Sequence, residues 1–96
     1  MNRRGHQGRV DANHGEIKHA FELLGCTVVS LASVGDGCPD LAVGVGGHTY
    51  LIEVKAGPSA KLTPAEHKFC NTWRGQWCRV DSIKDVVAFV GLWRTA

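Results

Sequence analysis

The 96-residue sequence contains no apolar run approaching the roughly 20 residues needed to cross a bilayer, so a helical membrane span is not expected. Its first ten residues, 1–10, are polar and basic with no apolar stretch behind them, which argues against a secretory leader. A cytoplasmic location is the expectation. The four cysteines, Cys26, Cys38, Cys70 and Cys78, stand 12, 32 and 8 positions apart, so there is neither a C-x-x-C pair nor a short Cys/His cluster. That spacing argues against a small zinc protein, and in a reducing compartment the thiols read as apolar fillers rather than disulfides. No internal repeat, low-complexity tract or linker divides the chain, so a single domain over 11–96 is expected behind a short arm.

Net charge is also scarce, at +2 from eleven Lys and Arg against nine Asp and Glu. Its distribution says more than its total. With Glu16, Asp40 and Glu53 set aside as possible metal ligands, six acids face the eleven bases and the remainder is +5, which suits a polyanionic partner. Arg3, Arg4 and Arg9 make 1–10 a basic arm, or equally a solvated tail.

What is present is alternating helical and strand patterning. Asp11 can cap a helix to about Leu24, with Ile17, Ala20, Phe21 and Leu24 at three- and four-residue spacing and Gly25 as the stop. The run Thr27 to Ser33 reads as a strand, broken by G-D-G-C-P. Asp40 to Val45 and Thr49 to Val54 form two further strands joined through Gly46-Gly47 as a hairpin. Thr63-Pro64-Ala65-Glu66 is a capping box, to which Glu66 is assigned, opening a helix with Phe69, Cys70 and Trp73 on one stripe. Trp77 to Val80 is a fourth strand, and Ser82 caps a last helix through Val86, Val87 and Val90. Helix, three strands, helix, strand, helix predicts an α/β fold with helices beside a mixed sheet.

The chemistry concentrates in Gly37-Cys38-Pro39-Asp40-Leu41 and Ile52-Glu53-Val54-Lys55. Side chains alternate along a strand, so Glu53 and Lys55 share one face while Ile52 and Val54 share the other. Asp40 opens the partner strand of the hairpin, which brings its carboxylate toward Glu53. Two carboxylates held that close repel unless a cation lies between them, and hard Mg²⁺ or Mn²⁺ is the natural occupant. Such a metal acidifies a bound water, and a neighbouring lysine can orient that water or stabilise a pentacovalent phosphorus. These parts suit phosphodiester hydrolysis. Taken alone, the same residues also suit a turn aspartate and a solvated Glu-x-Lys pair.

The string from Val34 to Phe69, with G-x-P-D-L, E-V-K and L-T-P in order, resembles the VRR-NUC domain of the PD-(D/E)xK nuclease superfamily, in its short stand-alone, phage-type form. The resemblance spans residues 11–90. It implies a restriction-endonuclease-like αβββαβ core, here with an added C-terminal helix, Mg²⁺- or Mn²⁺-dependent DNA cleavage in a bacterial or phage-infected cell, and homodimers similar to Holliday-junction resolvases. By that likeness Asp40 and Glu53 are metal ligands, the Val54 carbonyl a further ligand, and Lys55 the catalytic lysine. Glu16 matches the family's first-helix glutamate at the metal site, although a surface glutamate fits its pattern too. Asn13 and His14 flank the same helical arc and either support the site or belong to the cap. Where relatives carry glutamine after L-T-P this chain has His67, which can hydrogen-bond a phosphate or a metal-bound water, or simply face solvent.

Lys61, Lys68, Arg74 and Arg79, with Arg3 and Arg4 of the arm, are candidates for phosphate contacts. Trp73, Trp77 and Trp93 can stack on bases or fill a dimer seam, but Trp73 and Trp77 fit the core stripe better, whereas Trp93 reads as an interface residue. The leading expectation is therefore a metal-dependent DNA endonuclease acting as a homodimer on branched DNA such as a four-way junction. The alternatives are a less selective nickase or flap nuclease in phage DNA processing, and a catalytically silent DNA-binding module.

Overall fold

The computed structural model describes residues 13–95, so Asp11 and the arm residues Arg3, Arg4 and Arg9 lie outside the described residues. The elements are α1 (His14–Leu23), β1 (Thr27–Ser30), β2 (Leu41–Val45), β3 (His48–Val54), α2 (Pro64–Thr72), β4 (Gln76–Val80) and α3 (Ile83–Thr95). This is the predicted order. The four strands form one sheet in the order β1-β2-β3-β4, antiparallel except for the parallel β3–β4 pair that α2 connects. Among the described residues no helix is long and apolar enough to cross a membrane.

The hairpin depends on its turn. Gly46 and Gly47 both have positive φ, 59° and 81°, as a two-residue type I′ turn requires, and the strands then pair Val45 with His48 through to Leu41 with Ile52. Leu41, Val43, Ile52 and Val54 thereby fall on one face, where they pack with Val80 of β4, Ile17 and Phe21 of α1, and Val86 and Val90 of α3. Each such fully buried side chain contributes roughly 1.5–3 kcal/mol.

Three expectations are corrected. The first helix begins at His14 behind Asn13, and the Asn13 side chain makes no capping bond. The first strand ends at Ser30 rather than Ser33, because the Ser30 hydroxyl accepts from the Ala32 N–H at 3.4 Å and Val34 closes a turn onto Leu31 at 3.0 Å. Trp73 and Trp77 are not core residues: Trp73 is exposed because α2 has no buried residue at all, and Trp77 is half-buried because on β4 it pairs with Leu51, one position out of step with the core residue Val80. Trp93 packs within its own chain, its ring 4.7 Å from that of His48 and 5.9 Å from that of Tyr50. All four cysteines are free, and only Cys26 is fully buried.

Instead of joining the core, α2 docks through its first turn. Gly37, with φ 79°, lies so close to α2 that an added Cβ would collide with the Ala65 carbonyl. The G-x-P-D glycine thus serves both a left-handed backbone and a close helix approach.

Candidate active site

The centre of the site is the open end of the β2–β3 ladder. Asp40 stands one residue before β2, and its N–H donates to the Ile52 carbonyl at 3.0 Å, so Asp40 and Leu41 both lie opposite Ile52 and the strand bulges where the ladder ends. The Asp40 carboxylate then takes the place of the next backbone acceptor: its Oδ2 accepts from the Val54 N–H at 2.8 Å. In an extended strand the N–H and C=O of one residue project from the same edge, so the Val54 carbonyl is on the Asp40 side.

Glu53 is only 3% exposed and shares a side-chain hydrogen bond with Asp40. Burial first, then the Asp40 and Glu66 carboxylates, push its pKa up to about 9 against the pull of Lys55. The Lys55 ammonium lies 3.8 Å from Glu53 Oε2 and 2.7 Å from Glu66 Oε1. Its backbone is fixed as well, with the N–H donating to the Val80 carbonyl at 3.0 Å and the carbonyl accepting from Asn13 Nδ2 at 3.0 Å. The same Asn13 amide reaches the Asp81 carbonyl at 3.4 Å, so it ties the start of α1 to the ends of β3 and β4.

Glu66 completes the cluster. As third residue of α2 it closes the capping box on Thr63, and it also bonds Lys55 and Glu53. Burial raises its pKa, but the bonds from Lys55 and from the Thr63 N–H outweigh that and hold it below the usual carboxylate range. Cys38 is a half-buried neighbour, its thiol pushed up by burial and then by Glu53 and Asp40.

The structure therefore brings Asp40, Glu53, Val54 and Lys55 together as the sequence suggested, and adds Glu66 and Asn13. Glu16 and His67 are placed by their helices. Both are exposed, and the groups whose charge acts on Glu53 are Asp40, Glu66 and Lys55. On α1 the inward stripe is His14, Ile17, Ala20 and Phe21, which turns Glu16 outward, and on α2 the capping geometry directs Glu66 rather than its neighbour to the site. His14 is buried with Nδ1 unpartnered, as is Asn13 Oδ1. Arg79 is committed internally: its guanidinium donates to the Gly57 carbonyl at 3.0 Å and faces Asp81 at 3.7 Å, bracing the loop after Lys55. Lys61, Lys68 and Arg74 are exposed around α2. Arg3 and Arg4 lie outside the described residues.

Among the described residues no group of three or more His, Cys, Asp or Glu side chains is arranged to hold a metal ion. A soft or all-side-chain zinc site is thus not what the geometry offers. Two carboxylates and a main-chain carbonyl offer hard oxygens only, a set that suits a cation retaining several waters. The buried cluster also has three carboxylates to one ammonium, and the high pKa of Glu53 registers that shortage of positive charge. The residues fit a divalent hard cation.

No family model and no curated protein matches the chain. A solved structure described as a VRR_NUC domain does: it is 30% identical, with a TM-score of 0.62, over 80% of this chain and 88% of that one.

Proposed function

The chain belongs to the VRR-NUC domain family, with the mixed α/β restriction-endonuclease-like fold of that family, and from this we propose that it is a metal-dependent endonuclease that hydrolyses DNA phosphodiester bonds. The observation that carries the proposal is the Asp40 carboxylate on the Val54 N–H, across from a buried Glu53 with Lys55 beside it.

Asp40, Glu53 and the Val54 carbonyl would hold Mg²⁺ or Mn²⁺, which would supply Lewis-acid activation of water and neutralise charge on the phosphate. Lys55 donates to the attacking water or to a non-bridging phosphate oxygen, where negative charge grows as the bond from water to phosphorus forms and the ester bond breaks. Glu66 and the backbone bonds to Val80 and Asn13 keep that ammonium from wandering. The reading extends to a homodimer whose two sites, related by a two-fold axis, act on opposing strands of a branched DNA such as a four-way junction.

The test is cleavage of labelled four-way junction, flap and linear duplex in Mg²⁺, Mn²⁺ or EDTA. Cutting that persists in EDTA overturns the metal dependence, and duplex cut as fast as junction removes the structural preference. A light-scattering mass of 10.4 kDa, that of one chain, would overturn the dimer.

A further inference from the structure

Helix α2 carries a feature that the catalytic cluster does not use. Phe69 and Trp73 are stacked, with ring centroids 5.3 Å apart and 20° between planes. Trp73 is nonetheless 44% exposed, and α2 buries no residue, so the pair does not serve the core. The indole is also braced, because Nε1, Cε2 and Cζ2 lie against Gly75, where an added Cβ would come within 2.8 Å of the ring. A single exposed apolar residue is ordinary, but two aromatic rings locked together in solvent form a rigid π surface.

Its surroundings are mainly basic. Lys61, His67, Lys68 and Arg74 are exposed around it, while the one acid of α2, Glu66, is turned to Lys55. The acid nearby is Asp36, which with Lys68 and Phe69 lines a pocket of about 380 Å³. Glu66, Phe69 and Trp73 fall at i, i+3 and i+7, along one stripe. At 1.5 Å per residue the rings lie about 4.5 Å and about 10 Å along the helix from the residue that touches Lys55. That is the length of about one to three stacked nucleotides.

We propose that the Phe69–Trp73 pair stacks an unpaired base of the DNA strand, one to three nucleotides from the phosphate that is cut, so that the substrate is a branched DNA with a single-stranded segment at the branch. The proposal rests on the nuclease reading, and for that same site it favours a flap over the fully paired four-way junction. Bases inside a duplex present only edges, already stacked on both sides, whereas an unpaired base has a π face to offer. Lys68 and Arg74 then meet the flanking phosphates. A second copy of the chain is the poorer occupant, since a two-fold contact here would set these like charges against their own images.

The experiment measures binding in EDTA, where the DNA is not cut. A flap with 2-aminopurine unpaired next to the branch is compared with a linear duplex of equal length, for wild type, Trp73→Ala and Trp73→Phe. Trp73→Ala should bind the flap about tenfold more weakly, with duplex affinity within about twofold of wild type, and Trp73→Phe should restore most of the loss. If Trp73→Ala does not fold, Trp73→Leu makes the same comparison with an apolar but non-aromatic side chain. Equal losses on flap and duplex, no loss on either, or conversion of a dimer to a monomer would each overturn the stacking role. Cleavage in Mg²⁺ is scored separately. Flap binding through Trp73 without any cutting supports stacking and sinks the nuclease reading, and cutting that ignores Trp73 does the reverse.

Discussion

The Lys55 ammonium rests 2.7 Å from Glu66 Oε1, the same oxygen that accepts the Thr63 N–H at 2.8 Å to close the cap of α2. One atom thus couples the start of a helix to the Lys55 ammonium. Glu66→Ala removes both bonds, and the lost cap should cost about 1 kcal/mol, seen as a fall of about 4–8 °C in melting temperature. Glu66→Gln keeps a capping oxygen and should melt near wild type while retaining more cleavage than the alanine variant. Equal melting of the two variants would remove the cap from the account.

Asp40→Asn separates charge from architecture. The asparagine oxygen can still accept the Val54 N–H, so melting without metal should hold or rise as a like charge leaves Glu53. Cleavage should fall by about 10²–10³. Lys55→Ala differs, because it takes the cation from the part-buried Glu66 carboxylate, and the expected loss of stability is roughly 1.5–3 kcal/mol. Denaturant melts and single-turnover cleavage check both.

Glu53 makes stability depend on pH in a defined direction. Its native pKa, near 9, lies above the ordinary 4.5, so between those values the folded chain binds a proton that the unfolded chain has lost. The contribution of Glu53 to the stability of the metal-free protein should therefore be fullest below about pH 4.5, decline as pH rises, and reach its floor above about pH 9. Glu53→Gln should remove that slope. Mg²⁺ or Mn²⁺ should raise the neutral-pH melting temperature of wild type but not of the glutamine variant. Thermal melts from about pH 5 to about pH 9, with EDTA or metal, decide it, and a flat wild-type profile in EDTA contradicts the assignment.

Asn13→Ala should cost about 1–3 kcal/mol by leaving the Lys55 and Asp81 carbonyls short of a donor. Cleavage should weaken more than binding, since the residue lost is what fixes the Lys55 backbone. Comparing the turnover rate with the half-saturation point separates the two, and a change in binding alone would count against the positioning role.

The hairpin, the alternation that pairs Glu53 with Lys55, and the approach of Asp40 were all legible because they follow from local rules: two glycines, a period of two, and a strand start. Glu66 was half-legible. Its capping role is written in T-P-A-E, but its reach to Lys55 depends on how closely α2 meets Gly37, and no local pattern states that distance. For the same reason the eye falls on His67, one position along. Phe69 and Trp73 were visible as a shared stripe, yet a stripe does not say whether anything covers it. Arg79 reads as any surface cation until the loop at Gly57 folds back onto it.

The two-residue turn at Gly46-Gly47 has a consequence for how this chain can vary in length. Asp40 and Glu53 lie about 20 Å from the tip, six strand residues away, yet they come together because the turn pairs residues symmetrically as far as Leu41 and Ile52, onto which Asp40 then folds. Lengthening the tip by two residues, one to each strand, extends the ladder and leaves the carboxylates in step. A single added residue leaves them in step only where the turn takes it up as a three-residue loop or a bulge; placed in one strand alone it slips the ladder and turns every side chain beyond it to the other face. The far end of the hairpin therefore sets the register at the active site, and a longer tip must grow in the turn or equally in both strands.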